Sequence, residues 1–189
     1  DTVKLFGKKI GGSRVMPAAV GPSGIDYALM PSMWRQKIGI WVPSGNSTTV
    51  PGIFGIAAWS AVGTVTNRNM ATTNLLTRMR RMGWVSATTA GSLASIRTGV
   101  GQFTTGNGAG LGGFFMSMRF AIVDAAAVAG ARFFAGIKSG TGTPTNVDPA
   151  TVVNNIGVAQ LSGDATQLYI TYGGSVAQTP IPLGTNFPP

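Results

Sequence analysis

Apolar residues in this chain come in short runs rather than long stripes, and the runs change character along its length. Over residues 1–51, Gly11-Gly12, Pro17, Gly21-Pro22, Gly24, Pro31, Pro43-Ser44-Gly45 and Pro51 punctuate the sequence too closely for long regular elements. Proline lacks the donor that ladders and helix interiors need. The spacing predicts short extended pieces joined by turns, one short helix over residues 26–36 capped by Asp26, and a strand over residues 37–42.

From Ile53 onward Gly, Ala, Val, Thr, Phe and Trp occur in short runs divided by Gly, Asn and Ser, the texture of strands. Residues 73–86 show period two in part, with Leu76, Arg78, Arg80 and Met82 on one side and Leu75, Thr77, Met79 and Arg81 on the other. Such a strand suits a sheet shared between subunits; a helix over residues 75–82 is the alternative on propensity. Residues 114–123 read as a buried strand, and a second apolar aromatic run follows over residues 131–137. Between them Asp124 is placed to cap one helical turn that Gly130 stops in the left-handed region. Asp148-Pro149 repeats that chemistry for a short helix over residues 150–154. Gly173-Gly174-Ser175 marks a hairpin between residues 168–172 and 179–181. Together these elements predict an all-β fold: an antiparallel, jelly-roll-like β-sandwich over residues 53–189 behind an extended stem over residues 1–52, with one or two short helices.

Composition narrows the chemistry. Charged residues make up 10% of the chain, against about 25% in an average soluble domain, and Gly reaches 28 of 189 residues. With no Cys and no His, zinc sites of the usual ligands, thiol nucleophiles, Ser-His-Asp triads and disulfides are excluded by inventory. All five acids are Asp, at positions 1, 26, 124, 148 and 164. The net charge of +9 belongs to residues 1–100, with 11 Lys/Arg and 2 Asp (11 − 2 = +9), while the remainder carries 3 of each. No apolar run reaches the length of about 18 residues that a membrane span needs. The chain starts at Asp1 without a signal-peptide layout, which reads as a fragment or a processed chain.

Each candidate motif has a plainer reading beside it. Gly108-Ala109-Gly110-Leu111-Gly112-Gly113 contains G-x-G-x-x-G, but an aromatic, strand-like run follows it, so a flexible hairpin outranks a nucleotide loop. Arg78, Arg80 and Arg81, with Trp84 nearby, form the densest basic cluster. Its plainer role is hydrogen bonding to carbonyls or Asp across a subunit interface. Contact with a sugar or anionic polymer ranks next, and nucleic acid after it. Trp34, Trp41, Trp59, Tyr27, Tyr169 and Tyr172 are stacking candidates that more often serve as core or interface. Glycoside hydrolysis needs two converging carboxylates. With Asp124 and Asp148 assigned as caps, only Asp26, Asp164 and Asp1 remain, so the sequence points away from an enzyme. No cofactor and no metal site is expected.

Five stretches carry a family likeness: Gly21-Pro22-Ser23-Gly24-Ile25-Asp26, Asn74-Leu75-Leu76-Thr77-Arg78-Met79-Arg80-Arg81, Gly108-Ala109-Gly110-Leu111-Gly112-Gly113-Phe114-Phe115, residues 124–132, and Pro144-Thr145-Asn146-Val147-Asp148-Pro149. Over residues 5–187 the chain resembles the C-terminal receptor-binding regions of tailed-phage tail fibres. The resemblance implies a homotrimer in the virion tail fibre that works beside other phage tail proteins. It would attach the particle to a bacterial surface polysaccharide without inserting into the membrane. It also implies further strands beyond a segment like Leu183-Gly184-Thr185-Asn186-Phe187, so that residue 189 would fall short of the tip's end. It assigns no binding residue. A coat-type structural virion protein is the alternative of a different class, and a polysaccharide-degrading tail spike the third.

Overall fold

The computed structural model describes residues 2–9, 15–20, 26–28, 40–42, 50, 52, 59–73, 76–102, 116–124, 126 and 128–189, with residues 26–28 described by their backbone. Eleven strands lie among them, every pairing is antiparallel, and the one helical element is a 3-10 turn at Pro149–Thr151. The all-β expectation holds. The chain divides into two compact units, the first comprising Asp1–Trp41, Gly52–Ile56 and Gly101–Ser117, the second Val42–Pro51, Ala57–Val100 and Met118–Pro189.

The first unit contains a three-stranded sheet in the order β1 (Lys4–Lys9), β2 (Val15–Val20), β3 (Asp26–Ala28). Period two is visible in β2, where Met16 and Ala18 are buried while Val15 and Pro17 face out. Pro17 is tolerated because β3 covers only Ala18, Ala19 and Val20, which leaves Pro17 beyond the flanking ladder. Asp26 opens β3 opposite Val20 and caps no helix, a correction to the sequence reading. The free edge of β2 offers this segment backbone partners, and pairing overrides a marginal helix propensity. The rest of that expected helix, residues 29–36, lies outside the described residues. Of the strand expected over residues 37–42, only 40–42 are described; they form no strand, and Ile40 is 83% exposed.

In the second unit β4 (Ser60–Val62) pairs with β7 (Ser95–Arg97), and β5 (Thr64–Arg68) with β6 (Arg81–Val85). Gly63, at φ +82°, lets one continuous stretch leave β7 and join β6. The strand expected over residues 73–86 is thus only Arg81–Val85. The described residues before it form turns, with neither a longer strand nor the alternative helix.

A four-stranded meander follows: β8 (Phe133–Lys138), β9 (Asn155–Leu161), β10 (Asp164–Gly173) and β11 (Ile181–Pro182), each paired with its neighbour in sequence. The β10–β11 hairpin was expected from Gly173-Gly174-Ser175. On one face Ala159, Asn155 and Thr171 are buried, and Gly136 stands opposite Gly157 with the Phe134 ring over both. On the other face the larger residues Ile156, Tyr172 and Ile181 remain 44%, 37% and 49% exposed. One face thus buries small residues, while on the other Gln160 is buried and several large apolar residues stay at the surface.

Two further sequence expectations are corrected here. Of the buried strand expected over residues 114–123, residues 114–115 lie outside the described residues and residues 116–123 form no strand, with Met116, Met118, Phe120 and Val123 exposed. Among the described residues no strand pairs with this segment, and the Phe120 ring packs on Phe133 with centroids 5.1 Å apart. At Asp124 no helix is present among the described residues, although Gly130 does adopt the expected left-handed φ, +76°. There the chain makes a turn, closed by the Ala131 N–H donating to the Val128 carbonyl at 3.1 Å.

Candidate functional site

Between Asp26 and Asp124 the sequence contains no carboxylate, yet it carries Arg35, Lys37, Arg68, Arg78, Arg80, Arg81, Arg97 and Arg119. The β5–β6 hairpin gathers the middle of this set. Its connecting segment is closed by the Ala71 N–H donating to the Thr77 carbonyl at 2.9 Å and the Thr77 hydroxyl donating to the Ala71 carbonyl at 3.1 Å. Arg78, Met79 and Arg80 follow this closure directly.

Asn69 is the hub of the cluster. Its side-chain oxygen accepts from Arg80 Nη1 at 3.2 Å, and its carbonyl accepts from Arg81 Nη2 at 3.1 Å. Both arginines are therefore aimed by one residue at the end of β5. Arg119, from a separate segment, reaches the same place and donates from Nη1 to Met79 Sδ at 3.5 Å. Arg78 is exposed, whereas Arg80 and Arg81 are half-buried.

Register brings in a residue that the sequence reading missed. Arg68 is the direct cross-strand partner of Arg81, so two guanidinium side chains leave the same face of the hairpin side by side. The Arg68 stem and Nε pass over Gly83, where a Cβ would stand 3.0 Å from Nε. Trp84 pairs with Val65 and projects from the opposite face, so the hairpin does not set it beside Arg81. Of the four residues singled out, Arg80 and Arg81 meet at Asn69, Arg78 is exposed two residues before Arg80, and Trp84 lies on the opposite face. The absence of acids over so long a stretch was a signal for Arg68 and Arg119; their position was not readable without the pairing register.

The two acids of the C-terminal sheet are engaged elsewhere. Asp148 caps the 3-10 turn through the Ala150 N–H at 3.0 Å, as the Asp148-Pro149 pair predicts, although the helix expected over residues 150–154 ends at Thr151; its other oxygen accepts from the Ser162 N–H at 2.8 Å and hydroxyl at 2.5 Å. Burial works against its charge. The Ser162 and Ala150 hydrogen bonds and the charge of Arg132 outweigh it, holding the carboxyl below its usual 3.8. Asp164 accepts from the Thr166 hydroxyl at 2.6 Å and N–H at 2.8 Å, from Tyr169 Oη at 2.6 Å and from Gln167 Nε2 at 3.0 Å. Those donors, Thr166 first, hold its carboxyl well below the ordinary range, and the bond to Asp164 pushes the Tyr169 phenol up. A carboxylate so placed is a poor proton donor.

Among the stacking candidates Tyr169 is bound to Asp164, Tyr172 is exposed, and Trp41 and Trp59 are half-buried. Trp34, the glycine-rich stretch at residues 106–113 and the Tyr27 side chain lie outside the described residues. Among the described residues no three His, Cys, Asp or Glu side chains converge as a metal site would require, and no helix is long and apolar enough to cross a membrane. No family model, curated protein or solved structure matches the chain.

Proposed function

We propose that this chain is a non-enzymatic adhesin of the phage tail-fibre type, a homotrimeric, sandwich-like tip that binds a polysaccharide on the bacterial surface beside other tail proteins of the virion. The observation that carries this reading is the arginine cluster around Asn69, assembled from β5, β6 and the segment holding Arg119. It stands in a stretch of sequence without a carboxylate to neutralise it. Arginine forks set in a fixed frame suit the acidic groups of capsules and lipopolysaccharides. Two further observations support it. The saturated hydrogen bonding of Asp148 and Asp164 speaks against either as half of a hydrolytic pair. Exposure of Ile156, Tyr172 and Ile181 on one sheet face suits a surface that other copies cover.

The test is to incubate the purified chain with acidic and neutral bacterial polysaccharides, measuring retention and reducing ends together. Retention on the acidic polymer, weaker at high salt because exposed charges are screened over roughly 8 Å at physiological ionic strength, with no release of reducing ends, is the expected result. Steady release of oligosaccharide would make the protein a depolymerising spike. The exposed sheet face also favours a coat-type structural protein, which light scattering separates: a shell-forming chain would assemble far beyond three copies.

A further inference from the structure

The opposed pair Arg68 and Arg81 calls for a physical account. Like charges directly across an antiparallel pair destabilise it, and neither arginine has an acid nearby in sequence, the nearest being Asp26 and Asp124. Of the two acids held in hydrogen-bond networks, Asp148 feels the charge of Arg132, and Asp164 is held by hydrogen bonds alone. Arg81 is also incompletely satisfied: Nη2 is fixed on the Asn69 carbonyl, while Nε is buried with no hydrogen-bond partner. Orphaned buried donors are rare, and an ion is one of their standard explanations. Gly83 adds the third element: with no Cβ of its own it lets the Arg68 stem lie across the face shared with Arg81, Arg68 Nε and Thr66 Oγ1 each standing 3.0 Å from where a Cβ would be.

From this geometry we infer that Arg68 and Arg81 together form a seat for a single oxyanion, the carboxylate or phosphate group of an acidic sugar, with Arg80 alongside. One anion cancels the repulsion of the pair and gives Arg81 Nε an acceptor when its side chain turns toward the ligand. Arg68 supplies the second fork across Gly83. The inference rests on the proposed adhesin role and narrows it: the residues that recognise the polymer read its acid group, and a neutral glycan lacks the feature they need.

Calorimetric titration of the full chain with sodium glucuronate, inorganic phosphate and, as a neutral probe, glucose tests it. Saturable one-to-one binding of glucuronate or phosphate is expected, with no heat from glucose; whichever anion binds tighter identifies the uronate or the phosphate source. Arg68→Gln and Arg81→Gln should each weaken the anion at least tenfold, and Arg68→Lys, which keeps charge but loses the fork, should recover part of it. Lys138→Gln, which removes one charge from β8, should change it less than twofold. Arg68 is exposed, so its variants fold even if those of Arg81 do not. Equal losses from Arg68→Gln and Lys138→Gln, or no saturable binding of either anion, would overturn the seat. Acidic polysaccharide still retained by Arg68→Gln at wild-type strength would remove the seat and leave the adhesin standing. Saturable binding of the small anions without retention of any polysaccharide would do the reverse.

Discussion

Asp148 shows how much one side chain can organise. It caps the 3-10 turn and, through Ser162, ties that turn to the loop between β9 and β10. Asp148→Ala removes the cap acceptor and strands the Ser162 N–H, a loss of about 1 kcal/mol at neutral pH by comparison with other N-caps. The sign of the pH dependence follows from a folded carboxyl held below 3.8. The stabilisation is fully present above that value and fades as pH falls through the lower folded value. Urea midpoints of parent and Asp148→Ala should therefore differ at pH 7 and converge toward pH 2. A gap that widens in acid would contradict the assignment.

At the level of strands, the Gly136–Gly157 pair is the tightest joint in the C-terminal sheet. A Cβ on Gly157 would lie 2.5 Å from the Ala135 carbonyl oxygen and 2.8 Å from both the Gly136 Cα and the Phe134 ring. Gly157→Ala must push strands apart and should cost about 1–3 kcal/mol, the range for overpacking. Gly163→Ala meets nothing within 4 Å and should be near neutral in the same denaturation series. This contrast also explains what the sequence revealed. The Asp148 cap, the Gly130 turn and the hairpin at Gly173-Gly174-Ser175 were legible because residues within a few positions decide them. The run at residues 116–123 was not, since its alternation is that of a strand yet no strand among the described residues pairs with it. The same holds for Asp26, drawn into β3 by β2, and for Arg68, whose place beside Arg81 exists only once β5 and β6 pair.

For the whole molecule, the question is what covers the apolar surface. Among the described residues only Met16, Ala18, Val50, Pro149 and Ala159 are buried apolar residues, while Ile156, Tyr172 and Ile181 lie on one sheet face and remain accessible. If copies meet there, light scattering should give about three times the 19.4 kDa chain mass. Ile156→Lys should shift the population to monomers that keep their β circular dichroism. A monodisperse monomer in the parent would end the trimer proposal. The order of the meander adds a kinetic consequence. β8, β9, β10 and β11 each pair with the next in sequence, but their connections differ in length, residues 139–154 between β8 and β9 against residues 162–163 between β9 and β10, and loop closure is the slow, entropic part of building β structure. Pairing β4 with β7 must instead wait for β5 and β6 to be threaded between them. The β9–β10 hairpin is thus the part of the second unit able to form first during folding, displaying Ile156 and Tyr172 to other nascent chains before β4 has found β7.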